Sequence, residues 1–190
     1  MIGRILDRLR TSRDGEESRA RKPHIAVVGH AAGSHLFGAE RSLLDILAAV
    51  DRQAYDLSCV LPASNQEYLR AIEKHTTNIH IFSYPWWNKT QPFDPTSVCL
   101  FESLFRRARV DLVHVNTITV MDPLLAAKRL PIPTVLHVRE LLAPDDLLVN
   151  MFGDTPSAIV NKVLSTSDFV IANSEATHHV YRKAGPSFRL

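Results

Sequence analysis

Residues 24–47 read HIAVVGHAAGSHLFGAERSLLDIL, and the order of residue types in this stretch decides the fold. The apolar run Ile25 to Val28 has the length and branching of a strand buried on both faces. It exits into a small-residue loop holding Gly29, Gly33 and Gly38, and a helix begins at Ala39-Glu40-Arg41. Strand, loop and helix start in that order leave backbone N–H groups and a partial positive charge at the loop. That is a seat for an anion such as phosphate, and Gly33, Gly38, Ala39 and Glu40 are its candidate residues.

Spacing removes the two best-defined phosphate motifs. A dinucleotide fingerprint needs G-x-G-x-x-G, whereas the first two glycines here are four apart. A P-loop needs Lys-Ser/Thr after its last glycine, and Gly38 is followed by Ala39-Glu40.

From Pro23 onward strand and helix patterns alternate. Apolar runs predict strands over 24–29, 55–61, 78–83, 111–115, 132–138 and 168–172. Amphipathic spacing predicts helices over 39–50, 65–75, 95–108, 119–129, 156–166 and 175–184. Repeating units of this kind imply an α/β fold, a Rossmann-like doubly wound parallel sheet with helices on both faces and strand order 3-2-1-4-5-6. The connection 141–155 reads as a long loop at the rim of a cleft, with Asp145-Asp146 as a solvated pair.

Composition narrows the class. The chain has 190 residues, 45% of them hydrophobic, which suits one well-cored domain. No run reaches the roughly 18 apolar residues of a membrane span, and no signal-peptide core opens the chain. Cys59 and Cys99 read as reduced core residues, consistent with a cytoplasmic location. The net charge of +2 is concentrated in residues 1–22, where seven basic side chains face four acidic ones. The body is left slightly acidic, so a nucleic-acid surface is not expected. Ile2, Ile5, Leu6 and Leu9 share a helical face in that extension. A short amphipathic helix in peripheral contact with anionic lipid and a solvated, flexible tail are both open readings.

Ligands of doubly wound sheets bind at the carboxyl ends of the strands. Gly29-His30-Ala31 leaves the first strand, Asn116-Thr117 the fourth, Arg139-Glu140 the fifth after His137, and Asn173-Ser174-Glu175 the sixth. The polar rim therefore collects on strands one, four, five and six. His114, mid-strand, reads as a core residue. Ser174 reads foremost as a helix cap with Glu175 in the first turn. Trp86 and Trp87 either stack on a sugar ring, sit in a membrane interface, or fold beneath their own loop.

FGAERSLLDIL (37–47), DLVHVNT (111–117), PTVLHVRE (133–140) and DFVIANSEAT (168–177) together resemble the N-terminal half of the family 4 glycosyltransferases of GT-B fold. The resemblance extends over about residues 23–188 and implies a retaining enzyme that moves a sugar from a nucleotide-sugar donor to a glycan or lipid-linked acceptor. It implies that this half holds the acceptor, and that a C-terminal domain carrying E-x7-E, not found in a second-domain context here, holds the donor. No cofactor and no catalytic metal are expected. On this reading residues 1–22 are a basic extension, 23–190 an acceptor-binding domain, and the chain by itself transfers no sugar.

By the same resemblance His137 matches a strand-end histidine that faces the reacting sugar, and is the candidate catalytic residue. Asn116, Thr117, Arg139, Glu140, Ser174 and Glu175 are candidate acceptor-binding groups: amides and hydroxyls suit hydroxyl-rich ligands, and Arg139 suits a phosphate-bearing carrier. Phe37 stands where the family usually has the first of two glycines, so close approach to the donor phosphate falls to Gly38. The competing reading is a non-catalytic module that holds a nucleotide or small ligand in the same crevice. A receiver-like signalling domain is excluded, because His30-Ala31-Ala32 supplies no acidic residue after the first strand.

Overall fold

A computed structural model describes residues 21–30, 36–142 and 145–182. Gly33, the expected amphipathic segment and the last turn of the helix expected over 175–184 lie outside these residues.

Six parallel strands form one sheet: β1 (His24–Val28), β2 (Asp56–Leu61), β3 (Ile79–Ile81), β4 (Val110–Val115), β5 (Thr134–Val138) and β6 (Phe169–Ala172). Their order is β3-β2-β1-β4-β5-β6, as the pattern predicts. The helices are α1 (Gly38–Ala49), α2 (Gln66–Glu73), α3 (Pro95–Ala108), α4 (Asp122–Arg129), α5 (Asp146–Phe152), α6 (Pro156–Thr166) and α7 (Glu175–Arg182). The chain is thus the Rossmann-like α/β domain expected.

Every residue of β1 is buried because alternate side chains enter different cores. Ile25 and Val27 pack with Leu43 and Leu47 of α1 and Tyr68 and Ile72 of α2. Ala26 and Val28 pack with Phe101 and Phe105 of α3, Leu124 of α4 and Ile159 and Val163 of α6. Each fully buried Leu or Phe contributes roughly 1.5–3 kcal/mol through loss of apolar surface to water. Gly29 keeps α1 close to the end of β1: a Cβ there would fall 2.5 Å from Leu43 Cδ1 and 3.0 Å from Leu61 Cδ2.

Helix starts follow local chemistry. Asn65 Oδ1 accepts from the Tyr68 N–H at 2.8 Å, and Asp94 and Thr155 cap α3 and α6 just ahead of Pro95 and Pro156. Three expectations need correction. The connection 141–155 is not all loop, since Asp145 caps the two-turn α5 by accepting from the Leu148 N–H at 2.9 Å. Helix α4 begins at Asp122 rather than 119, with Pro123 in its first turn, where a missing N–H costs nothing. Cys99 is exposed on α3, whereas Cys59 is buried, and burial raises its thiol to about 12.

Candidate functional site

The β1–β4 pair marks the switch point, because chain leaves these two neighbours toward opposite sides of the sheet. The N-terminus of α1 lies over it. Asn116, just past β4, donates from Nδ2 to the Ala39 carbonyl at 2.8 Å, and its backbone N–H donates to Val28 O at 2.9 Å. Its Oδ1 lies 3.5 Å from the Ser42 hydroxyl. The side chain is buried, so this amide braces α1 against β4.

Thr117 is buried as well. Its hydroxyl donates to Glu140 Oε1 at 2.9 Å and lies 3.0 Å from Thr119 Oγ1. The other Glu140 oxygen accepts from the Arg139 N–H at 2.9 Å. The Arg139 guanidinium in turn donates to the Gly38 carbonyl at 2.6 Å. A continuous set of hydrogen bonds therefore joins the β4 tip, the β5 tip and the first turn of α1.

His137 is half-buried near the end of β5, and its Nδ1 has no hydrogen-bond partner among the described residues. Burial first, and Arg139 second, hold its imidazole down to about 4. His114 is fully buried and meets His137 edge-on, with ring centroids 6.0 Å apart. Neither of its nitrogens has a partner among the described residues, and burial lowers it to about 3. Both rings are neutral at neutral pH.

His30, at the tip of β1, lies on the polar rim expected from sequence, which assigns it no role there. Its Nε2 lies 3.4 Å from Glu40 Oε1, and the second Glu40 oxygen accepts from the Phe37 N–H at 3.0 Å. Glu40 is only 2% exposed. Its carboxylate thus occupies one of the amides that a phosphate at this loop would seek. Burial lowers the His30 imidazole, Arg139 adds to the effect, and Glu40 and Glu140 oppose it. The signal for His30 was its place, a polar side chain at a strand tip beside the switch point.

The two tryptophans divide between the readings left open. Trp87 is core: its indole donates to Ile118 O at 2.6 Å and its ring stacks on Phe152 of α5 at 4.4 Å. Trp86 stays 43% exposed, with its ring 6.1 Å from that of His30.

Ser174 caps α7, its hydroxyl accepting from the Thr177 N–H at 3.2 Å, and Glu175 stands exposed in the first turn. The Asn173 N–H donates to Val138 O at 3.3 Å, which sets this turn beside the β5 tip. Tyr181 of α7 is buried close enough to Glu140 for the carboxylate to help retain its phenol proton. A cavity of about 500 Å³ lies at the opposite end of the sheet, where Thr134 and Phe169 begin β5 and β6, and takes no part in this rim.

Among the described residues the rim offers neutral imidazoles, hydroxyls, the Arg139 guanidinium and the carboxylates of Glu40, Glu140 and Glu175. That set suits hydrogen bonding to a polyhydroxylated ligand. It shows, among the described residues, no paired nucleophile and base of an acyl-transfer centre.

Residues 38–188 match the family described as Glycosyltransferase Family 4. No curated protein matches the chain. Among solved structures, a UDP-N-acetylglucosamine 2-epimerase superposes with a TM-score of 0.61 at 13% identity, covering 86% of this chain and 45% of its own. An S. aureus MnaA–UDP co-structure gives 0.55 at 13% identity, covering 87% and 43%. The lipopolysaccharide outer core galactosyltransferase WaaB in apo form gives 0.54 at 11% identity, covering 85% and 42%. At such identities the likeness concerns the fold alone, a Rossmann-like α/β domain like one half of a GT-B protein. This chain spans less than half the length of each of these neighbours.

Proposed function

The chain belongs to glycosyltransferase family 4, and on that premise we propose that it is the acceptor-side domain of an enzyme moving a sugar from a nucleotide-sugar donor to a glycan or lipid-linked acceptor. The observation that carries this reading is the hydrogen-bonded rim at the β1, β4 and β5 tips, where Thr117, Arg139 and Glu140 hold one another beside His137. In this role His137 faces the reacting sugar. Its ring is uncharged and only half-buried, so it can hydrogen-bond a hydroxyl without the desolvation cost of an imidazolium.

Asn116 then acts from behind, fixing α1, rather than by touching the acceptor. Donor binding belongs chiefly to a second domain, so the 190-residue chain transfers no sugar alone. That one neighbour is a UDP co-structure supports a nucleotide-sugar donor. No helix among the described residues is long and apolar enough to cross a membrane; a cytoplasmic location with peripheral membrane contact is part of the proposal and rests on the family reading.

The test supplies UDP-glucose and UDP-galactose to this chain, alone and joined to a C-terminal domain of the same family, and follows UDP release in the presence of a glycan acceptor. Release only from the joined protein is expected. Turnover by the 190-residue chain would refute the division of labour, and tight nucleotide binding without turnover in either form would favour the binding-module reading.

A further inference from the structure

The first turn of α1 and the β3 exit loop together build a feature that the acceptor-domain reading has not used. His30 sits between a buried carboxylate and an exposed indole. Its Nε2 lies 3.4 Å from Glu40 Oε1, and its ring lies 6.1 Å from the Trp86 ring at an interplanar angle of 46°. Glu40 is locked, since its other oxygen is held by the Phe37 N–H and its residue is almost wholly inaccessible.

We propose that His30, Glu40 and Trp86 form the subsite for an uncharged pyranose ring of the acceptor, with His30 Nδ1 accepting a hydrogen bond from one ring hydroxyl. The proposal rests on the acceptor-domain reading and names where, and through which atom, that ligand is held.

The direction of the hydrogen bond follows from electrostatics. A ring nitrogen lone pair 3.4 Å from a buried carboxylate oxygen is repelled, whereas an N–H there is attracted, so electrostatics favours the proton on Nε2. Nδ1 then carries the lone pair. Burial keeps the ring neutral at neutral pH against the pull of Glu40 and Glu140, with Arg139 acting in the same sense as burial. A neutral imidazole with a fixed tautomer accepts from a hydroxyl and does not attract an anion.

The charge around it makes the same selection. Glu40 and Glu140 place two carboxylates near His30, and the Arg139 guanidinium already donates to Gly38 O. An anionic ring would meet net repulsion here. A pyranose presents both surfaces the site needs, a C–H face for the indole and a hydroxyl edge for the imidazole.

The experiment is heteronuclear NMR of the imidazole and indole nitrogens of the 190-residue chain, titrated with octyl β-D-glucopyranoside below its micelle concentration. His30 should show the Nε2–H tautomer, and the glucoside should move the His30 and Trp86 resonances along one binding curve. Trp86→Ala, at an exposed position, and His30→Phe, which keeps a ring but removes the acceptor atom, should each weaken that curve by about fivefold or more.

An Nδ1–H tautomer, shifts confined to other residues, or equal affinity in both variants would overturn the subsite. If His30→Phe fails to fold, the tautomer and the Trp86→Ala titration decide the matter on their own. None of these readouts requires sugar transfer, so an inactive joined enzyme would count against the functional reading and leave the subsite standing.

Discussion

Lowering the pH from about 8 to about 5 should remove about 2 kcal/mol of folding stability through His114 alone. This ring is 1% exposed, its nitrogens have no partner among the described residues, and its close polar neighbour is the His137 ring. Burial, with His137 second, lowers it from the ordinary 6.5 to about 3. In the unfolded chain it titrates near the ordinary value. Between those values the unfolded chain binds a proton that the folded chain refuses, so stability is complete above about pH 6.5 and falls as acid is added. Each pH unit in that window is worth about 1.4 kcal/mol, and pH 5 lies about one and a half units inside it. His24, His30, His80 and His137 are also lowered and push the same way, so the term must be isolated by difference. Urea unfolding of the wild type and of His114→Leu at both pH values provides it. The wild type should lose about 2 kcal/mol more than the variant, and equal losses would show that His114 is not held neutral by burial.

Gly29→Ala should destabilise the fold by about 1–3 kcal/mol, because its Cβ would collide with Leu43 Cδ1 and press on Leu61 Cδ2; thermal or urea unfolding measures it. His137→Ala, made in the protein joined to its donor domain, should lower turnover by about 10²-fold while the circular dichroism spectrum is unchanged. Unchanged turnover would remove His137 from the site.

How much of this was legible in the sequence follows from the range of the interactions involved. Strands β1, β2, β4 and β5 announce themselves as Val/Ile/Leu-rich runs, because a parallel sheet covered on both faces demands near-continuous apolarity, whereas β3 is a short, half-exposed Ile-His-Ile edge strand. Helix α5 was hidden because two turns are too short for a clear period, and its capping Asp145 looked like half of a solvated acidic pair. Cys99 was misread because residue type alone does not say which side of α3 faces the core.

The site divides the same way. That polar groups gather on the strand tips is a matter of topology and could be read. Which of them turn inward could not: Asn116 has its amide on Ala39, and Thr117 its hydroxyl on Glu140, and such pairs span 77 and 23 residues. The pairing of His30 with Glu40 was equally invisible, since it requires α1 to fold back over the β1 tip.

The β3 exit loop is fastened on both sides of its one outward indole. Just before it, the Tyr84 hydroxyl donates within reach of two carbonyls, 2.6 Å from Gly29 O and 3.1 Å from Val60 O. Just after it, Trp87 holds Ile118 O through its indole and Thr119 O through its backbone N–H at 3.0 Å. Trp86 is in effect a pier standing on bedrock rather than on a sandbar. Whatever rests against it inherits the positional accuracy of the interior and sacrifices little loop freedom on arrival. The same anchorage leaves this hairpin of chain intolerant of altered length, since one residue more or less would unseat an aromatic side chain from the core.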